Sequence, residues 1–522
     1  MNKLKYPAPV RGGDSLLLTC PYLGLLVVTM IGAGLRLWLI GSKGLWLDEA
    51  FSVWLARQPW AAMMRWIVQI DQHPPLYYIL LHGWIALGDG EATIRALSAL
   101  FSALTIPLIF ALGRTLIDGR AGLLAALLLA LSPFHIRFAQ ETRMYALLAF
   151  NAVLSMLAVA RLLKAPHVRV WWAIYTVFTA LTMLTHNTAV LFPIAINGII
   201  LSLILAQRLG VETGLALPPL KHWLIAQAGV LALWGFWLPA FVIQARGVYA
   251  EFWLPPPTWG KIAETLKNFL CAFLPDDLGA GHLIWLVYAA VFGLGIYHLR
   301  RRLGTLILLL GLFLIPFLGD LLVSLKRPIF YDRTLIWTTV PLYLLLAAGL
   351  TSMRWRWSVI QIVLLVILNI FSLQRYYVHF EKEEWDKAAA YVAGQARPDD
   401  LLLFNATWVQ IPFDYYLDRF DLQVQERGVP VDLFDRGILE PKMAEGDLPY
   451  LHSLIAGRSR VWLVYSHNWY TDPQGLIPPV LARTLALCDR QQFVDVQVFL
   501  YAQDCARPAQ VSAPSPRVAR TP

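Results

Sequence analysis

Between residues 16 and 373 the chain is a succession of apolar runs, each near the roughly 20 residues that a helix needs to cross a bilayer. They lie at about 16–40, 96–117, 121–135, 144–163, 170–185, 188–206, 222–244, 283–299, 303–323, 335–350 and 357–373. Backbone amides in hydrocarbon must be satisfied within their own segment, so these runs read as helices and the chain as a polytopic α-helical membrane protein with about 11 spans. Two of them, 121–135 and 170–185, are so short that their helices must extend into neighbouring polar residues or sit in a thinned, protein-lined region. Composition agrees: 58% of the 522 residues are hydrophobic and 15% charged, against roughly 25% charged in ordinary soluble domains.

The formal charge of +9 divides sharply near residue 374. Residues 1–373 carry 28 basic and 15 acidic side chains, and residues 374–522 carry 15 basic and 19 acidic. The first part is therefore a membrane domain (1–373) and the second a water-soluble one (374–506), followed by a Pro-, Ser- and Arg-rich segment, 507–522, expected to be disordered. No arginine-rich, aromatic-interleaved stripe survives this division, which removes nucleic acid as a partner. No cleavable signal is apparent: Lys3, Lys5 and Arg11 precede a long apolar run without a small-residue cleavage pattern.

Short basic loops fix orientation. With the N-terminus in the cytoplasm, Arg114, Arg120, Lys164, Arg169, Arg208, Lys221, Arg300 to Arg302, Arg354 and Arg356 all fall inside. Most acids fall outside, in two long loops at about 41–95 and 245–282, and an odd number of spans puts the soluble domain outside too. The chain is thus expected in the cell (inner) membrane with its C-terminal domain extracytoplasmic. His73 to Gly88 is an apolar run too short to span, and reads as a re-entrant or interfacial helix.

In the tail, Glu381–Gln395 reads as an amphipathic helix, Leu401–Asn405 and Val461–Tyr465 as buried strands, Leu476–Leu487 as a helix and Phe493–Tyr501 as an alternating strand. That makes a small α/β domain. Cys488 and Cys505 either bridge, as an oxidising compartment would allow, or remain buried thiols.

Chemistry-bearing residues cluster in the outer loops. Asp48 and Glu49 follow the first span; the ordinary reading is a solvated loop acid, or Asp48 as a helix N-cap. Glu141 can favour the start of the fourth span and Arg143 can snorkel. Prolines after His73 set the entry to the interfacial helix, and His186 can be a hydrogen-bonded interface residue. Lys326, Arg327, Asp332 and Arg333 form a compact basic outer loop, where short loops normally avoid such charge. Span counting brings all of these to one membrane face. Two acidic sites, histidines and cations there suit transfer of a group from an anionic lipid carrier: an acid deprotonates an acceptor hydroxyl, and cations stabilise the leaving phosphate.

The sequence Leu45-Trp46-Leu47-Asp48-Glu49-Ala50, the His73-Pro74-Pro75-Leu76-Tyr77 segment, Ser132-Pro133 with Gln140-Glu141 and Arg143-Met144-Tyr145, Thr185-His186 and Asp332-Arg333-Thr334 together resemble the bacterial branch of the GT-C membrane glycosyltransferases. That branch is similar to protein O-mannosyltransferases and to the aminoarabinose transferase that modifies lipid A, a glycosyltransferase family 39-like group. The resemblance covers residues 30–350. It implies inverting transfer of a sugar from a polyprenyl-phosphate donor to an extracytoplasmic protein, lipid or envelope glycan, at a cavity on the outer face.

Carried over, Asp48 is the general base, Glu49 completes the acidic pair, and Glu141 is a second acidic position. His73, Arg143, Lys326 and Arg333 are implied contacts for the donor phosphate. A divalent ion, if used, would be held by Asp48, Glu141 and His186. Relatives of the lipid A enzyme often carry Lys where this chain has His73, which makes that contact pH-sensitive. A transporter or flippase of lipid-linked sugars, or an envelope-assembly scaffold, is the competing reading. Transporters place ionisable residues near the midplane between repeated halves, whereas here the acids gather at one face and no repeat is evident.

Overall fold

The structure, a computed structural model, describes residues 21–505 apart from 72, 251–253, 276–280 and 433–441, and of 247–250, 281 and 407 it describes the backbone alone. The segment 507–522 expected to be disordered lies outside the described residues.

All eleven apolar runs are helical: Pro21–Leu37, Glu91–Leu116, Gly119–Leu131, Tyr145–Leu162, Arg169–Met183, Leu191–Arg208, Leu220–Trp234 continued by Leu238–Ala250, Gly281–Leu299, Leu303–Ser324, Thr339–Ser352 and Trp355–His379. Among the described residues eight helices are long and apolar enough to cross a bilayer, or nine if one bent pair is a single span. The expected eleven is therefore not reached on length and apolarity. Pro21–Leu37 has 17 described residues and Arg169–Met183 has 15, and at 1.5 Å per residue the latter is about 23 Å long against roughly 30 Å of hydrocarbon.

The bent pair is the short run 121–135. Gly119–Leu131 turns by 58° into Pro133–Ala139. Pro133 has no N–H to continue the first helix, and the Ser132 hydroxyl accepts from His135 N at 3.3 Å, so a new helix begins there. Close packing holds the bundle elsewhere. A Cβ placed on Gly295 or Gly349 would lie 2.0 Å from a carbonyl oxygen of the opposite helix. Only glycine lets Gly281–Leu299 and Thr339–Ser352 touch backbone to backbone.

The first long loop folds into three short helices, Leu47–Arg57, Trp60–Gln69 and Leu76–Trp84, the last extended by a 3₁₀ turn at Ile85–Leu87. Leu76–Leu87 is apolar but shorter than a span, consistent with an interfacial element. Pro74 and Pro75 precede it, and Leu76 N donates to Leu184 O at 3.2 Å, tying it to the end of the fifth apolar helix.

The tail carries a five-stranded sheet: β1 Leu401–Phe404, β2 Gln425–Gly428, β3 Arg460–Ser466, β4 Ala486–Phe493 and β5 Val496–Ala502, in the order β2-β1-β3-β5-β4. β1 pairs parallel with β2 and β3, and β5 pairs antiparallel with β3 and β4. The expected helix 381–395 is confined to Trp385–Ala393, and the helix expected over 476–487 stops at Thr484, just before β4 begins at Ala486. The strand expected over Phe493–Tyr501 is β5, which begins at Val496 after a turn at Asp495, Phe493 being the last residue of β4; it does not alternate but is buried on nearly every residue because both of its faces are covered. Cys488 of β4 and Cys505 form a disulfide.

The tail sits on one end of the helical bundle. Leu45 N donates to the Tyr416 hydroxyl at 2.7 Å, the Tyr415 hydroxyl donates to Asp89 O at 2.7 Å, and Arg419 pairs with Glu91 at 2.8 Å.

Candidate functional site

Between the loop-bearing end of the bundle and the tail lies a cavity of about 530 Å³. Its bundle side is built by the start of helix Leu47–Arg57, Asp71 and His73, Arg143 and Tyr145, residues between His186 and Leu191, and residues between Arg327 and Thr334. Its tail side is built by Glu383, Trp408, His467, Trp469 and Tyr470. Tryptophan and tyrosine make much of the wall, and charge is concentrated at a few points, as ligand cavities commonly have it.

Asp48 lies in the first turn of its helix and faces the cavity. The expected capping role is not seen: Trp46 is the N-cap residue and caps with no side-chain bond. The Asp48 carboxylate is 3.2 Å from Arg333 and 3.9 Å from Arg143. Burial alone would raise its pKa, but Arg143, Arg333 and His73 outweigh burial and hold it below the ordinary aspartate value. Arg333 is itself enclosed by the rings of Trp46, Tyr145 and Tyr331, its guanidinium 5.4, 5.4 and 4.6 Å from their centres. Arg143 donates to Ser52 Oγ at 3.1 Å and to the Asp48 carbonyl at 3.3 Å, while its buried Nε has no hydrogen-bond partner among the described residues.

Glu49, one residue on, points away. It is fully buried and does not line the cavity. Arg95 donates to both of its oxygens at 2.7 Å, Lys382 to Oε2 at 2.7 Å, and Thr142 N to Oε1 at 2.8 Å. Burial pushes this carboxyl up, yet Arg95 and Lys382 more than offset it and bring it down to about 2. A carboxylate so fully engaged positions its surroundings and does not meet a ligand.

Asp71, His73 and His186 form the next stretch of wall. His73 Nδ1 is 2.9 Å from Asp71 Oδ1, and the two imidazole rings are centred 5.0 Å apart. His186 Nδ1 accepts from Thr188 N at 3.2 Å, which leaves the proton of the neutral ring on Nε2. Burial first, then the charges of His73, Arg143 and Arg333, hold His186 well below the usual histidine pKa, so it is the neutral form that lines the cavity.

Two further expected residues stand elsewhere. Glu141 is buried against Arg137 at 3.1 Å and does not line the cavity. Lys326 is exposed and off the wall, and its neighbour Arg327 lines the cavity instead. The proposed metal set of Asp48, Glu141 and His186 is not assembled: among the described residues no group of three His, Cys, Asp or Glu side chains could hold a metal ion. Asp48 and His186 line the cavity while Glu141 turns one oxygen to Arg137 off the wall, so these three side chains do not converge on one divalent ion.

Sequence reading missed the tail's contribution altogether. Trp408 and His467 stand 59 residues apart and meet with ring centres 5.1 Å apart. The aromatic cluster His467-Asn468-Trp469-Tyr470 directly after a strand was the available signal.

Residues 72–236 match the family model described as dolichyl-phosphate-mannose-protein mannosyltransferase. No curated protein matches the chain by sequence. Among solved structures the chain is similar to ArnT from Cupriavidus metallidurans in the apo state: 15% identity, 94% of this chain and 100% of that chain covered, TM-score 0.61. The same protein bound to undecaprenyl phosphate gives 14% identity, coverage of 95% and 100%, and a TM-score of 0.58. The apo oligosaccharyltransferase of Archaeoglobus fulgidus gives 12% identity, coverage of 93% and 74%, and a TM-score of 0.52. At these identities the likeness is one of fold.

Proposed function

We propose, of a chain with the GT-C fold of membrane glycosyltransferases, that it moves a sugar from a polyprenyl-phosphate donor to an extracytoplasmic acceptor with inversion at the anomeric carbon. One observation carries this reading: the Asp48 carboxylate faces the cavity with guanidinium groups at 3.2 and 3.9 Å. Two further facts support the donor class. The matching family is described by dolichyl-phosphate-mannose, and the similar Cupriavidus protein was solved with undecaprenyl phosphate; both are anionic polyprenyl phosphates.

The reaction is then one in-line displacement. The acceptor hydroxyl gives its proton to Asp48, its oxygen bonds to the anomeric carbon, and the bond from that carbon to the phosphate oxygen breaks. Polyprenyl phosphate leaves with the electron pair. Arg333 and Arg143 meet the charge that develops on the phosphate, and the donor competes with Asp48 for Arg333 as it binds. His73 and the Nε2–H of His186 lie on the same wall as further donors to the phosphate. No step passes through a metal.

In this reading all eleven helices traverse the membrane, the short ones where neighbouring protein lines them, and 374–506 is the extracytoplasmic domain. The basic loops lie at the opposite helix ends, which puts the cavity outside under the positive-inside rule. Polar groups gathered at one end favour chemistry over passage of a substrate. The test is a transfer assay with the purified chain in lipid nanodiscs and polyprenyl-phosphate sugars as donors. The expected result is release of polyprenyl phosphate and a product of opposite anomeric configuration by NMR. Retained configuration, or translocation of the intact donor without cleavage, would contradict it.

A further inference from the structure

The tail contributes a wall to the cavity that the displacement at the anomeric carbon does not use. It consists of Trp408, His467, Trp469 and Tyr470 with the Glu383 carboxylate, and the tail adds no lysine or arginine to the lining among the described residues. The bundle side, by contrast, holds Arg143, Arg327 and Arg333. The two walls suit different ligands.

His467 is held at some conformational cost. It adopts a left-handed backbone, φ 50°, at the junction between β3 and the Asn468–Thr471 turn of helix, a region that non-glycine residues occupy only when their surroundings impose it. The Ser466 hydroxyl spends its proton on Asp495 O at 2.6 Å and so accepts from His467 Nδ1 at 2.9 Å. His467 Nε2 stands 3.4 Å from Glu383 Oε1. Glu383 Oε2 in turn accepts from Leu47 N at 2.9 Å, one residue before Asp48. The imidazole and the base loop are thus fixed to the same carboxylate. Trp469 is 64% exposed, a large ring left uncovered, with Tyr470 beside it at 5.7 Å between ring centres.

We propose that this wall is a subsite for a neutral glycan, the acceptor of the transferred sugar, whose ring faces Trp469 and Tyr470 while its hydroxyls meet His467 and Glu383. The inference rests on the transferase reading and deepens it. Exposed aromatic rings offer flat apolar faces to the C–H faces of a sugar, and a carboxylate with an imidazole offers hydrogen bonds to its hydroxyls. A phosphorylated lipid acceptor would meet the Glu383 carboxylate on the wall, whereas the nearby tail cation Lys442 is held over the Tyr470 ring at 4.4 Å and does not line the cavity. A peptide acceptor would be expected to add to an exposed strand, but the edge strands of the sheet, β2 and β4, contribute nothing to the lining.

The full chain carrying Asp48→Asn, which suppresses turnover, is applied in nanodiscs to three probe sets: an array of neutral oligosaccharides, an array of Ser- and Thr-containing peptides, and vesicles containing phosphatidic acid. Retention on one or more neutral oligosaccharides is expected, reduced at least tenfold by adding Trp469→Ala and restored by Trp469→Tyr. Trp469 is exposed, so its removal leaves the core intact. In the otherwise unaltered chain, Trp469→Ala should raise KM for the retained oligosaccharide at least tenfold, with kcat and the donor KM unchanged. Retention on peptides or phosphatidic acid only, no retention on any probe, or retention indifferent to Trp469 would each overturn the subsite. The transferase reading fails separately: a chain that retains glycans through Trp469 yet cleaves no polyprenyl-phosphate sugar would refute that reading and keep the glycan site.

Discussion

Two carboxylates adjacent in sequence end in opposite surroundings. Asp48 opens onto the cavity, with 27% of its side chain exposed and guanidinium groups at the edge of contact. Glu49, about 100° further round the helix, is sealed in a network with Arg95, Lys382 and Thr142 N. The difference separates two jobs that an Asp-Glu pair invites one to merge: one carboxylate is available to a substrate, and the other holds the scaffold. Lys382 belongs to the tail and Arg95 to the second apolar helix, so Glu49 also fastens the two halves of the molecule beneath the cavity.

The network should yield the largest effect on stability. Glu49→Gln leaves Arg95 and Lys382 buried without their counter-charge, a change that typically costs about 3–5 kcal/mol. It should lower the thermal midpoint of the detergent-solubilised chain and expose the tail to limited proteolysis. Acid should act the same way. The Glu49 carboxyl lies near 2 in the folded chain against an ordinary 4.5, so its contribution is whole above the ordinary value and is lost as pH falls from there through the folded value. A thermal midpoint for Glu49→Gln equal to that of the unaltered chain would erase the distinction between the two carboxylates.

A smaller effect is expected at the cavity edge. Arg333→Gln removes the proposed phosphate contact and a neighbour that keeps Asp48 ionised, so the donor KM should rise by roughly tenfold or more, about 1.5–3 kcal/mol for a charged hydrogen bond. The acid limb of kcat/KM should also move upward, because the Asp48 carboxyl loses a cation that holds it down. A pH profile that does not move would detach Arg333 from the base. The smallest effect belongs to Lys326→Ala: an exposed side chain off the wall should change stability by less than about 0.5 kcal/mol, and donor KM by less than about twofold. A large rise would return Lys326 to the donor site.

Hydropathy made the helical part legible almost helix by helix, because hydrocarbon imposes one backbone solution on any long apolar run. The count was harder, since run length does not say whether neighbouring protein lines the ends of a 15-residue helix such as Arg169–Met183. In the tail, β1 (Leu-Leu-Leu-Phe) announces itself, whereas β2 (Gln-Glu-Arg-Gly) has no apolar period and is a strand only because β1 lies beside it. Asp48, His73, Arg143, His186 and Arg333 could be named because they flank apolar runs at one face, and the structure gathers them on one wall. Which of Lys326 and Arg327 turns inward depends on the loop after Ser324, and Glu141 on a partner, Arg137, one turn earlier on the same chain. Trp408 and His467 required the tail's fold and its docking, neither of which local pattern specifies.

The most direct measurement sets Asp48→Asn against Glu49→Gln, with the thermal midpoint and single-turnover release of polyprenyl phosphate recorded for both. Asp48→Asn is expected to keep the thermal midpoint and to lose about 10²–10⁴-fold in the rate of release, the range a general base supplies. Glu49→Gln is expected to lower the midpoint. Release by Asp48→Asn at the rate of the unaltered chain, from a protein of unaltered stability, would contradict the assignment of Asp48 as the base.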